Sequence, residues 1–163
     1  MKLVSISESD FNQIDGCHPI IADEHARKFA ALDLGEPFGC YGLGWNSELI
    51  DPEVVLSADG RTVWAGVDQY LAAVDLTTGR IRVSIKLHTN LLEIIAVERL
   101  TAVRTETEVL VFNPDFSIFL DKGFPDITEE ISIVGEKLEI SFLEGYSLML
   151  DLQTGSISRP EYA

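Results

Sequence analysis

From residue 54 onward, apolar residues come in short runs punctuated by glycine, aspartate and asparagine. Val54-Val55-Leu56 precedes Ser57-Ala58-Asp59-Gly60, and Asp-Gly between apolar runs predicts a hairpin turn. Thr62-Val63-Trp64-Ala65-Gly66 is rich in β-formers, 70–76 is a further apolar run, and Ile81, Val83, Ile85 and Leu87 alternate with polar residues in a fourth. The same plan returns at 92–97, 100–104, 109–112 and 117–120, and again at 127–134, 137–143, 146–152 and 156–158. Within 137–142, Leu138, Ile140 and Phe142 alternate with Lys137, Glu139 and Ser141, which predicts a strand with one face in water.

The punctuation is periodic. Asp75-Leu76-Thr77-Thr78-Gly79 recurs as Asp151-Leu152-Gln153-Thr154-Gly155, with Asn113-Pro114-Asp115-Phe116 between them, so positions 75, 113 and 151 fall 38 apart. A fixed period of this size signals stacked supersecondary units. It predicts an all-β fold of three four-stranded, blade-like repeats at 50–87, 88–125 and 126–163, either propeller-like or an open curved stack. Residues 1–49 form an N-terminal extension packed on these repeats in one compact domain. There Ser7 is expected to cap a short helix that carries Phe11 and Ile14 inward and ends at Gly16. Asp23 either caps a second helix running through Ala31, or 28–34 is a strand, because Ala31-Leu32-Asp33-Leu34-Gly35 echoes Ala73-Val74-Asp75-Leu76. The segment Gly39-Cys40-Tyr41-Gly42-Leu43-Gly44-Trp45 reads as a strand or loop passing close to other backbone.

Thr62 to Gly66, followed by Tyr70-Leu71-Ala72-Ala73-Val74-Asp75 and its Thr-Gly turn, resembles a β-propeller blade. The similarity is greatest to blades of the pyrroloquinoline-quinone type, where an inner strand ending in glycine leads to such a turn. It covers about 110 residues. The tryptophan near the end of that blade type is Val83 here, and the tryptophan–aspartate dipeptide of the other large propeller family is absent, so no cofactor is expected. Because propellers close with at least four blades, three leave the alternatives that residues 1–49 complete the body, that the stack is open, or that two chains complete one ring.

Composition narrows the function more than it identifies it. The 27 acids against 12 bases give a net charge of −15, which repels nucleic acid and anionic lipid and favours a basic protein surface as partner. There is no apolar leader after Met1-Lys2-Leu3-Val4 and no stretch long enough to span a bilayer, and Cys17 and Cys40 read as reduced thiols, which together predict a cytoplasmic protein.

Catalytic patterns are sparse. Cys17, His18, Asp23, His25 and Cys40 are residue types that zinc accepts, or that a cysteine nucleophile with a histidine base would use, but their spacing matches no recognised motif. Glu106 with Glu108, Glu129 with Glu130, and Asp121 with Asp126 are acid pairs of the kind expected on a solvated face. Phe38, Tyr41 and Trp45 run through the glycine-rich segment, while Phe116, Phe119 and Phe124 gather near Pro125. Aromatic residues beside a polar rim suit a binding surface. The reading is a non-enzymatic protein-binding module with no metal, in its sharpest form an acidic inhibitor or immunity-type protein. Its partner surface is assigned to Phe38, Tyr41, Trp45, Glu106 and Glu108. A small metal-dependent or cysteine hydrolase, and a structural subunit of an oligomeric propeller, are the alternatives.

Overall fold

The computed structural model describes residues 1–13 and 17–160, Cys17 by its main chain only. It contains four four-stranded sheets. Three are antiparallel meanders in chain order. The second sheet holds β5 (Glu53–Leu56), β6 (Thr62–Val67), β7 (Tyr70–Asp75) and β8 (Arg80–Lys86). The third holds β9 (Leu91–Val97), β10 (Leu100–Thr105), β11 (Glu108–Phe112) and β12 (Ile118–Gly123). The fourth holds β13 (Thr128–Val134), β14 (Lys137–Phe142), β15 (Ser147–Asp151) and β16 (Ile157–Ser158).

The expectation of three blades is corrected to four. Residues 2–45 build a complete first sheet from β1 (Lys2–Ile6), β2 (Cys17–Ala22), β3 (Lys28–Asp33) and β4 (Cys40–Trp45), in the order β1-β3-β4-β2. Its topology explains why the 38-residue period misses it. β2 pairs with β4 in parallel, from Cys17 opposite Cys40 to Ala22 opposite Gly44, and a parallel neighbour needs a crossover rather than a hairpin. The chain makes it through β3, while helix α1 (Glu8–Gln13) lies in the separate connection from β1 to β2 and starts where the Asp10 amide donates to the Ser7 hydroxyl at 3.1 Å. Ile14 and Gly16 lie outside the described residues. The second helix is overturned in favour of the strand alternative. Ala30 and Leu32 of β3 face the second sheet, a period of two, and the Asp23 carboxylate accepts the His25 amide at 2.7 Å in a local turn.

Three hydrophobic cores hold the sheets face to face. The first joins Leu32, Tyr41, Leu43 and Trp45 to Val63, Ala65, Val67, Ala72 and Val74. The second joins Trp64, Leu71, Ala73 and Val83 to Leu91, Ile94, Val103, Leu110 and Phe112. The third joins Ala102, Val109 and Val111 to Ile131, Leu138, Ile140, Phe142 and Leu150. Successive residues of β6 therefore serve opposite neighbours, and every residue of that strand is buried. In β14 only alternate residues are fully covered, because its second face, carrying Lys137, Glu139 and Ser141, meets water.

Among the described residues, no core joins the first sheet to the fourth. Both terminal faces are finished differently from the inner ones. The fourth sheet ends in the polar face just described, as the last unit of a stacked array requires. The outer face of the first sheet is covered in part by α1, whose Phe11 ring packs 5.1 Å from Phe29. The glycine-rich segment fits this arrangement closely. Tyr41, Leu43 and Trp45 point into the first core, while Gly42 and Gly44 leave room for aromatic rings instead of backbone. A Cβ at Gly42 would lie 2.9 Å from the Phe11 ring, and one at Gly44 would lie 3.2 Å from the Phe29 ring.

The repeated turns are built by their aspartates. Asp75 accepts the Thr77 amide at 2.8 Å and Asp151 accepts the Gln153 amide at 2.8 Å, and each turn closes on a glycine amide, Gly79 or Gly155, with φ of 74° and 77°. At the middle turn Phe116 takes the left-handed position, at φ 70°. Its ring is kept there by contact with Trp64 at 6.2 Å and by the Arg82 guanidinium 4.8 Å from its centroid.

Candidate binding face

The meander places strand connections at two ends of the stack. One end collects the Asp-containing turns and the loop 34–39. The other collects the loops 23–27, 46–52, 68–69, 87–90, 106–107, 124–127 and 143–146. Loops at this second end carry Asp23, Glu24, Glu48, Asp51, Asp68, Glu106, Asp126 and Glu144, against Arg27 and, in the last segment, Arg159. Loops at the first end carry Glu36, Asp59, Glu98, Asp115 and Glu136 against Arg61 and Arg99, and the turn aspartates Asp75 and Asp151 end the strands that lead into them. Counted over the connecting loops alone, the second end is the more acidic.

A cavity of about 870 Å³ opens there between the first and second sheets, lined by Asp23, Glu24, His25, Asp68, Tyr70 and Lys86 among others. Its acids are held by the fold. Asp68 adopts a left-handed conformation, φ 52°, and its carboxylate accepts the amides of Asn46 and Ser47 at 2.9 and 3.0 Å. That pair of bonds ties the loop leaving β4 to the β6–β7 turn. Tyr70 is half-buried, and its phenol is pushed up from the ordinary value by burial first and then by its hydrogen bond to Asp23. Asp23 and Asp68 consequently face the opening as fixed negative charge rather than as mobile surface groups.

A second acidic group lies where the second and third sheets meet. Glu108 is buried, and its carboxyl is pushed up by burial and then by the Asp121 carboxylate bonded to it. The charge and backbone N–H of His88 act in the opposite direction. Around it, Thr89 donates to Thr105 at 2.9 Å, the Glu108 amide donates to Thr105 Oγ1 at 3.0 Å, and the Asn90 amide group donates to Glu106 at 3.3 Å. This polar seam fixes the connection between the two sheets.

The five residues assigned to a partner surface do not form one patch. Trp45 is buried in the first core and donates its indole N–H to the Ile50 carbonyl at 2.9 Å. Tyr41 is buried to its hydroxyl, and with half-buried Phe38 and exposed His18 it lines a cavity of about 330 Å³ at the end of the Asp-containing turns. Glu106 belongs to the acidic end, whereas Glu108 is interior. Of the aromatic cluster near Pro125, Phe116 serves the second core and Phe119 the third; only Phe124 reaches a cavity at the acidic end. The acidic ends of the connecting loops have no sequence motif and become a surface only through the common strand direction.

The residues considered for metal or nucleophilic chemistry are also separated. β2 runs from one end of the stack to the other, so His18 lies beside Tyr41 while Asp23 and His25 lie at the acidic end. Among the described residues no group of three or more histidine, cysteine, aspartate or glutamate side chains is disposed to hold a metal ion. The reading of two reduced thiols is corrected at Cys40, which is disulfide-bonded. A disulfide sulfur carries no thiolate, and the thiolate is the nucleophile. Among the described residues no helix is long and apolar enough to cross a membrane.

No protein-family model matches the chain, and no curated protein matches it. Solved structures do. It is similar to the β-propeller domain of Myceliophteria thermophila Cps50 (Swd1), at 14% identity and a TM-score of 0.53, over 69% of this chain and 39% of that one. The N-terminal domain of Nup159 matches at 10% identity and a TM-score of 0.53, over 91% of this chain and 44% of that one. The dihydro-heme d1 dehydrogenase NirN matches at 12% identity and a TM-score of 0.57, over 84% and 33%. The chain thus spans less than half the length of each of these structures. Their shared feature is the fold, and this chain has a β-propeller-like fold of four stacked blades.

Proposed function

We propose that this protein is a non-enzymatic binding module that presents its acidic loop end to a basic protein partner. The observation that carries the reading is the acid-rich lining of the cavity between the first two sheets, where Asp23 and Asp68 are held by hydrogen bonds and, with Glu24, outnumber Lys86. Preorganised charge of one sign steers an oppositely charged partner and sets register on contact. Blade-like sheets supply a rigid frame for such loops, and Nup159, whose domain shares the fold, occurs in a structure with dbp5 and Gle1. In its sharpest form the module is an inhibitor or immunity-type protein that covers a cationic domain. The Asp75–Gly79 turn resembles that of the quinone-type blade, without that family's tryptophan at Val83.

Completion of a ring by a second copy is the weaker reading, because α1 covers part of one terminal face and the other is polar. The test is capture of partners from the native host at low salt, followed by affinity measurement across ionic strength. A basic protein whose affinity falls steeply with salt supports the reading. Capture of nothing at low salt, or an affinity indifferent to salt, overturns it.

A further inference from the structure

The acidic end has a second cavity, in the fourth sheet, and its chemistry differs from the first. Its volume is about 820 Å³, and Phe124, Pro125, Tyr146, Leu148 and Pro160 form most of its wall, with Asp126 and Arg159 at the rim. Beneath it the fully buried Phe142 ring stacks on Tyr146 at 4.6 Å and 14°, and meets Phe124 edge-on at 5.2 Å. The Tyr146 hydroxyl donates to Asp126. On the same loops Leu143 is 62% exposed and Ile127 50% exposed, with the Leu143 amide bonded to the Ile127 carbonyl at 3.0 Å. An apolar patch of this kind, rimmed by charge, is the usual form of an interaction site.

We propose that this groove receives one aromatic or large aliphatic side chain of a basic protein segment, whose flanking lysines or arginines meet Asp126 and Glu144. The inference rests on the reading of the acidic end as the partner face, and it adds the anchor position. Three observations fix the occupant. The walls are apolar and aromatic, which selects an apolar anchor. The rim carboxylates of Asp126 and Glu144 both act on the Tyr146 phenol, with Arg159 the cation opposing them, which selects positive flanks. The whole chain carries −15, which disfavours an acidic peptide, a nucleic acid or a second copy of itself. Rigidity adds to the case. With its ring stacked and its hydroxyl held, Tyr146 loses little freedom when a ligand is seated, as a preorganised hot spot should.

The experiment uses two synthetic probes, a Lys-Lys-Trp-Lys-Lys peptide and its serine-centred counterpart, titrated into the full chain and followed by backbone amide shifts. The tryptophan peptide is expected to bind about tenfold more tightly and to shift amides in 124–127 and 143–148. Tyr146→Phe keeps that preference, because the ring remains, and Tyr146→Ser removes it. Arg159→Ala strengthens binding of both peptides, an effect that loss of folding could not produce. Equal affinity of the two peptides, or shifts confined to other loops, overturns the groove while leaving the basic-partner reading in place. Failure of both peptides to bind at low salt overturns the two together.

Discussion

The Tyr41 hydroxyl donates to the Gly79 carbonyl at 2.7 Å, joining the first sheet to the glycine turn of the second. The bond matters because the first sheet was not part of the repeat and must be docked onto it. Tyr41 contributes its ring to the first core and its hydroxyl to the edge of that core. Tyr41→Phe keeps the packing and removes the bond, so a loss of about 1 kcal/mol is expected. Tyr41→Ala removes both and should cost roughly 3–5 kcal/mol. Chemical denaturation of the two variants checks the separation; equal losses would show that the ring does not fill the core as described.

Arg104 plays the corresponding part between the third and fourth sheets. It is buried, its Nε donates to Glu93 at 2.9 Å, and its Nη1 donates to the Thr128 carbonyl and hydroxyl at 3.2 and 3.1 Å. Replacing it by Ala strands those acceptors and should cost roughly 3–5 kcal/mol. Glu93→Gln keeps an acceptor for the guanidinium and should cost about 1 kcal/mol. Thermal or denaturant unfolding distinguishes them, and a mild Arg104→Ala would mean that water replaces the guanidinium.

Glu108 predicts a pH dependence. Its carboxyl is raised in the folded protein by burial and then by Asp121, so folding favours the protonated form. The stability this contributes is fully present below the ordinary glutamate value and is lost as pH rises through the raised folded value. Glu108→Gln should therefore be more stable than the parent at about pH 8, with the gap closing toward about pH 4. Denaturation midpoints at the two pH values test the sign; a variant less stable at the higher pH would contradict it.

Gly42→Ala tests how the first sheet is covered. The added Cβ would meet the Phe11 ring at 2.9 Å, so either the ring or α1 must move. The expected result is faster amide exchange confined to residues 8–13, with the second to fourth sheets unchanged. Uniform loss of protection across the chain would show that α1 is integral to the whole stack rather than to one face.

Much of the fold was legible because the hydrophobic pattern reports how many faces of a strand are covered. The continuous run from Thr62 to Val67 marks a strand between two neighbours, and Lys137 to Phe142 marks one with a free face. The turns were legible because Asp75 and Asp151 carry their hydrogen bonding in the side chain. The first sheet was hidden for two reasons. Its parallel β2–β4 pair breaks the meander, and its glycines answer to Phe11 and Phe29, which are distant in sequence. The site was less legible still. Trp45 and Tyr41 have the composition of a binding surface but are spent on packing, whereas Tyr146 gains its place from a stack on Phe142 and a bond to Asp126 that cross a turn and a sheet connection. Charge alone could not locate the proposed binding end, since acids occur throughout the chain and only strand direction sorts them.

The central claim is that one end of the stack, and not the net charge of the molecule, recognises the partner. Two charge-reversed variants with the same net charge test it: Glu24→Lys with Glu48→Lys at the acidic end, and Glu36→Lys with Glu98→Lys at the other. All four side chains are exposed, so the fold should tolerate each change. Affinity for a decalysine peptide at low salt is expected to fall by about tenfold or more in the first variant and by far less in the second. Equal losses in both would show that binding follows bulk charge and would contradict the account.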